Sequence, residues 1–233
     1  MSNCLSVFLK APRPGYVKTR LAATIGAGRA AELYRAFARD TLAWATRLSA
    51  CDRRVDYTPL SGENLCRAML PEGGACSFHP QVDGDLGERL RASFSAMFEG
   101  GYERCVIIGT DCPTLGPREA RLAFRSLESA DVVLGPTFDG GYYLVGLRRP
   151  APGLFEDIPW STDRVLDRTL ERAAEAGLET RALRTLSDVD SARDLAPLHE
   201  ELVRLWRARR RPFPVRTFRA LEWRMPRHRH GTR

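Results

Sequence analysis

Strand-length apolar runs alternate with segments of helical period along almost the whole of this chain, and that alternation limits the fold more than any single motif does. Residues 5–9 form a short apolar run that breaks at Ala11-Pro12-Arg13-Pro14-Gly15, where two prolines and a glycine exclude regular structure. Ala30, Leu33, Tyr34, Phe37, Ala38, Thr41, Leu42, Ala45 and Leu48 then recur at 3.6-residue spacing and predict a long helix. Strands are predicted at 53–58, 75–79, 104–111, 131–136, 142–147 and 179–186. Helices are predicted at 63–70, from Asp85 through Phe98, from Pro117, through Val165 to Ala173, and from about Asp194 to Trp206. Asp85 with Glu88 three residues on has the form of a capping box, and Gly177 suits a C-cap. The expectation is a single-domain, Rossmann-like three-layer α/β/α sandwich with a mostly parallel sheet over residues 1–206, followed by a tail at 207–233.

Charge is divided unevenly along that plan. The formal net charge is +7, yet residues 207–233 hold ten Arg against the single acid Glu222, which leaves the first 206 residues at −2. The basic character therefore belongs to the tail, and the core gives no reason to expect a nucleic-acid partner. The tail interleaves Arg with Trp206, Phe213, Phe218 and Trp223. It reads either as a solvated, partly disordered extension or as a segment that meets an anionic membrane or nucleic acid. Six cysteines lack C-x-x-C or paired-His spacing and behave as reduced, mostly buried thiols. The N-terminal apolar run is too short for a signal peptide, and no stretch approaches a membrane span, so a cytoplasmic location is expected.

Ligands of open α/β sheets lie beyond the carboxyl ends of the strands, so the residues there carry the functional question. The first strand leads into a loop with three cations, Arg13, Lys18 and Arg20, just before a helix. That is either a solvated basic loop or a phosphate cradle of amides and positive charge. There is neither a Walker lysine motif nor G-x-G-x-x-G. Val106-Ile-Ile-Gly-Thr delivers Asp111 to a strand end stopped by Pro113, where the carboxylate is a turn or cap residue or a metal ligand. Asp139-Gly140-Gly141 is a hairpin turn or a close approach to a ligand, Arg89 an exposed helical residue or a ligand contact. Asp188 and Asp190 end the last strand. If these ends share one edge, a cationic loop faces carboxylates, which suits a nucleotide with a divalent ion.

Residues 8–21 (FLKAPRPGYVKTRL), 84–89 (GDLGER), 109–113 (GTDCP), 138–146 (FDGGYYLVG) and 188–195 (DVDSARDL) together resemble the bacterial glycosyltransferase-A-like family. Its members are often called radical-SAM-associated or arsenosugar-biosynthesis glycosyltransferases. The likeness spans about residues 3–206 and excludes the tail. It reaches more faintly to phospholactate guanylyltransferase and the molybdenum-cofactor nucleotidyltransferase, which share the nucleotide-diphospho-sugar transferase fold. The resemblance implies a metal-dependent transferase acting on a nucleotide sugar or nucleoside triphosphate and a small-molecule acceptor. Glycosyl transfer is favoured; nucleotidyl transfer and a non-catalytic nucleotide-binding module are the alternatives. It also implies Lys18, Arg20 and Asp111 as catalytic groups, and Lys10, Ala11, Pro12, Arg13, Gly15, Gly87 and Arg89, with Lys18 and Arg20, as nucleotide contacts. Asp139, Gly140, Gly141, Tyr142 and Trp160 would border the acceptor or sugar, and Asp111, Asp188 and Asp190 would hold Mg2+ or Mn2+. Two departures bear on the metal: no Asp-x-Asp pair precedes Asp111, where Gly109 stands instead, and Ala192 replaces a proline common in the last motif.

Overall fold

The structure, a computed structural model, describes residues 2–222. In chain order it contains β1 (Asn3–Lys10), α1 (Thr19–Ile25), α2 (Ala27–Ala45), β2 (Asp52–Thr58), α3 (Glu63–Arg67), β3 (Ser77–Pro80), α4 (Leu86–Glu99) and β4 (Arg104–Ile108). These are followed by α5 (Pro117–Ser126), β5 (Val132–Pro136), β6 (Tyr142–Leu147), α6 (Val165–Glu175), β7 (Thr180–Ala182), α7 (Leu195–Arg207) and α8 (Val215–Leu221). The strands form one sheet in the order β3-β2-β1-β4-β6-β5-β7. All neighbours are parallel except β6, which runs antiparallel to both β4 and β5.

Alternation along the strands explains the three layers. In β1 and β4, Leu5, Val7, Leu9, Val106 and Ile108 face one side, where they pack with Tyr34, Ala38 and Leu42 of α2 and Ala120, Ala123 and Phe124 of α5. Cys4, Cys105 and Ile107 face the other side, against Leu90, Phe94 and Met97 of α4 and Ala173 of α6. The predicted α/β/α sandwich with a mostly parallel sheet is therefore the observed fold.

Several expectations change in detail. The predicted long helix is α2; the structure adds a short helix before it, α1, where only a loop was expected, and the two are separated at Gly26 (φ 86°), a backbone conformation that suits glycine. The central strand stops at Ile108, so Asp111 stands three residues beyond it in a loop. The strand predicted over 179–186 shortens to β7, although Leu186 still bridges Thr137. The turn at 137–141 joins the antiparallel pair β5 and β6, where Gly135 leaves room for the Tyr143 ring: a Cβ there would lie 2.5 Å from it.

The tail is the largest correction. Within the described residues it is not a solvated extension, because α2 is apolar on two flanks, one against the sheet and one away from it. Ala30, Leu33 and Phe37, on the flank of α2 away from the sheet, are covered by Leu198 and Leu202 of α7 and by Phe213 and Leu221. Asp40 of α2 fixes α8, accepting from the Arg216 N–H at 3.2 Å and the Thr217 N–H at 2.7 Å. A solvated tail would leave that flank open to water. Residues 223–233, the remainder of the expected tail, lie outside the described residues.

Candidate functional site

The strand order reverses between β1 and β4: the chain leaves β1 for β2 on one side and later returns to β4 on the other. Beyond the carboxyl ends of these strands the connecting loops diverge and leave a crevice, which is where ligands of open α/β sheets bind. A cleft of 610 Å³ lies there, lined by Phe8 and Lys10 of β1, Lys18 and Arg20, Thr110 and Asp111, and Tyr142 of β6.

Lys18 is its centre. It occupies the N-cap of α1 in a left-handed conformation (φ 49°, ψ 48°), which a non-glycine residue adopts only when its surroundings hold it there. Its side chain is only 4 % exposed, and its Nζ donates to Asp111 Oδ1 at 2.5 Å and to Asp190 Oδ1 at 2.9 Å. Asp190 also accepts from Arg20, whose side chain is 70 % exposed. Burial alone would push the Lys18 ammonium down, but the two carboxylates overcome it and hold the pKa above the ordinary lysine value. For Asp190, burial is likewise outweighed by Lys18 and then Arg20, which hold its carboxyl below the usual range.

Three separate loops converge on this point, each fixed by its own bonds. The Val189 N–H donates to the Asp111 carbonyl at 3.0 Å, tying the last motif to the β4 loop. Asp194 accepts from the Asp190 and Ser191 amides at 3.1 and 2.7 Å, setting the turn that presents Asp190. The Tyr34 hydroxyl accepts from the Lys10 N–H at 2.8 Å and lies 3.2 Å from Thr110 Oγ1, bridging the ends of β1 and β4. Tyr34 and Asp194 escape sequence reasoning. Tyr34 sits on the helix's apolar stripe and reads as core, and Asp194 reads as an ordinary helical residue.

The remaining candidates divide into those that reach the cleft and those that build its walls. Lys10, Arg89 and Tyr142 line it. The buried Arg89 Nε has no hydrogen-bond partner among the described residues. Ala11 and Pro12 are buried in the loop wall, while Arg13 turns away to the Ser61 carbonyl at 2.8 Å; Gly15 is exposed at φ 83°. Gly87 is buried where α4 meets the 155–160 segment. A Cβ there would lie 2.7 Å from the Phe155 carbonyl oxygen and 2.9 Å from Trp160 Nε1, so its role is close packing. Trp160 in turn meets the Tyr142 ring edge-on at 6.4 Å. Asp139 accepts from Thr137 Oγ1 at 2.5 Å and the Gly141 N–H at 3.1 Å. Gly140, at φ 87°, passes so close to the start of α6 that a Cβ would meet the Asp163 carbonyl. Asp188 is half-buried, and its pKa is pushed up to about 6 by burial and then by Asp139 and Asp190.

These positions test the expected metal site. Among the described residues no three ligating side chains converge. Asp111 and Asp190 do share one cation, the Lys18 ammonium, and the Asp111 side chain is 53 % exposed toward the cleft. Two carboxylates at a phosphate-sized cleft fit Mg2+ or Mn2+, which take one or two carboxylates and complete their shell with substrate phosphates and water. Asp188 stands near enough to Asp139 and Asp190 for their charges to raise its pKa.

Fold and cleft together define an α/β protein of the nucleotide-diphospho-sugar transferase type, and comparison agrees. A structure from Desulfovibrio desulfuricans G20, provisionally named a nucleotide-diphospho-sugar transferase, superposes with a TM-score of 0.80 at 34 % identity, covering 96 % of this chain and 95 % of that one. More distantly, the CMP:2-keto-3-deoxy-manno-octonic acid synthetase complexed with CTP matches at TM-score 0.53 and 13 % identity, over 88 % of this chain and 99 % of that one. Rv0371c of Mycobacterium tuberculosis H37Rv in complex with manganese matches at 0.51 and 17 %, over 84 % and 98 %. No curated protein matches. The chain belongs to the family described as uncharacterized proteins conserved in bacteria (DUF2064), whose model matches residues 41–162.

Proposed function

We propose that this protein is a metal-dependent transferase using a nucleotide-activated donor, and that the donor is a nucleotide sugar. The observation that carries the reading is Lys18: a buried ammonium at a helix N-cap, held by carboxylates from two other loops at the mouth of a cleft large enough for a nucleotide. Burying such a charge is costly, and a fixed cation at this place is suited to developing negative charge on a diphosphate. The 34 % identical relative carries the matching name, and a distant neighbour of the same fold holds CTP. The sequence resemblance to radical-SAM-associated and arsenosugar-biosynthesis enzymes names glycosyl transfer in particular.

In this reading Lys18 and Arg20 bind the diphosphate oxygens and stabilise the charge that grows as the bond to the leaving group breaks. Asp111 and Asp190 hold these cations in place and would hold a divalent ion, which when bound neutralises the diphosphate. Lys10 and Arg89 meet other parts of the donor, and the floor of Phe8 and Tyr142 excludes water. The Asp139–Gly141 turn and Trp160 shape the acceptor side.

Nucleotidyl transfer uses the same cradle, with an acceptor phosphate attacking the α-phosphorus and pyrophosphate leaving; the CTP-bound neighbour favours keeping it as the second reading. Incubating the protein with a panel of nucleotide sugars and nucleoside triphosphates, with and without Mg2+ or Mn2+, separates the two. Metal-dependent consumption of a nucleotide sugar is the expected result. Pyrophosphate release from a triphosphate alone would transfer the assignment to nucleotidyl transfer.

A further inference from the structure

We propose that the corner formed by the end of α7, the loop after it and α8 is a docking surface for the anionic headgroups of a membrane. Arg204, Arg207, Arg209, Arg210, Arg211 and Arg219 are all exposed there, and in residues 201–222 only Glu201 and Glu222 oppose them. Guanidinium groups bind phosphate oxygens in pairs and carry their charge at every physiological pH. The array is fixed in place, because Phe213 and Leu221 anchor the corner in the α2 cluster and Asp40 holds the first turn of α8. Little backbone entropy is therefore lost when the charges meet a surface.

The aromatic residues decide between the two polyanions that such a patch fits. Trp206 is 51 % exposed, an unusual state for the largest side chain, and Val215 at the start of α8 is 36 % exposed. Binding a single-stranded nucleic acid requires a free ring face on which a base can stack. The Trp206 ring is stacked on Phe218, with centroids 6.2 Å apart and planes 8° from parallel, and the Arg211 guanidinium lies over it at 5.7 Å. An indole so engaged and still half-exposed amid arginines is the arrangement of an interfacial anchor at headgroup depth.

The test uses the full chain and sedimentation with phosphatidylcholine vesicles that contain or lack phosphatidylglycerol. Binding to the anionic vesicles alone, weakening as salt is raised, is expected. Since each basic residue near an anionic surface adds roughly fivefold to partitioning, the variant R207E/R210E/R211E should bind about 100-fold more weakly or worse. A chain ending at Glu222 should still bind. Equal partitioning into neutral vesicles, indifference to salt, an unaffected triple variant, or binding lost on removing residues 223–233 would each overturn the proposal. So would tighter binding to an RNA oligonucleotide than to anionic vesicles at the same salt. The lipid and salt arms use the unaltered protein and stand even where the triple variant does not fold.

Discussion

Lys18 and Arg20 stand two positions apart in one motif and carry the same charge, yet their environments predict unequal roles. Lys18 is buried and bonded to two carboxylates; Arg20 is largely in solvent, where screening weakens its pull on a phosphate. Lys18→Met is expected to lower turnover by about 10²–10³-fold, the usual loss on removing one preorganised charge from a water-poor site. Arg20→Met should cost about tenfold, mostly in KM, on the same scale. Steady-state kinetics with the donor that the panel identifies would check both, and equal losses would mean that burial does not set the difference. Asp111→Asn, by removing the exposed carboxylate of the cluster, is expected to weaken metal-dependent nucleotide binding at least tenfold in titration calorimetry. Lys18 and Asp111 were legible as motif residues. That an ammonium joins Asp111 to Asp190 was not, because the three belong to distant segments and only the sheet topology brings their loops together.

At the scale of elements, the amphipathic α4 with its Asp85–Glu88 capping box and α5 with Pro117 in its first turn were readable, because caps and periodicity are local signals. The role of α8 was not. Its seven residues are rich in Arg, and the apolar side chains it contributes have no visible partner until α2 is known to be apolar on both flanks. Removing residues 207–233 takes Phe213 and Leu221 out of that cluster, each 9 % exposed or less, and re-exposes Leu33 and Phe37. At about 1.5–3 kcal/mol for each large side chain the loss is about 3–6 kcal/mol, a large share of a domain's stability. Urea unfolding of the truncated chain should show a clearly lowered midpoint, whereas an unchanged midpoint would mean that α8 packs without contributing.

The architecture of the whole molecule was largely visible in the alternation of strand and helix patterns, since β-branched runs and 3.6-residue periods report directly on burial. The reversed direction of β6 was not, because a strand buried on both faces looks the same in either direction. Its consequence lies at the pole opposite the cleft. The end of β6 returns beside the start of β5, and Asp131 is buried there among Arg148, Arg149 and the Glu179 amide, with contacts of 2.9–3.1 Å. The hydrogen bonds from Arg149 hold the Asp131 carboxyl well below the usual carboxylate range despite its burial, with the Glu179 amide and Arg148 adding to the effect. A carboxylate whose folded pKa lies below its unfolded value stabilises the fold fully above the unfolded value, near pH 4, and loses that contribution as pH falls further toward the folded value. The clamp should thus be intact at neutral pH and fail only in strong acid. Asp131→Ala should destabilise the protein by about 1–3 kcal/mol at pH 7, the range for a buried hydrogen-bonded charge whose arginine partners remain free to reach water. The gap between mutant and parent should stay constant down to about pH 4 and narrow below it, as the parent's own carboxylate is protonated. Denaturant unfolding of both proteins across that range measures the gap directly, and a difference that grows on acidification would show that Asp131 does not hold this pole through its charge.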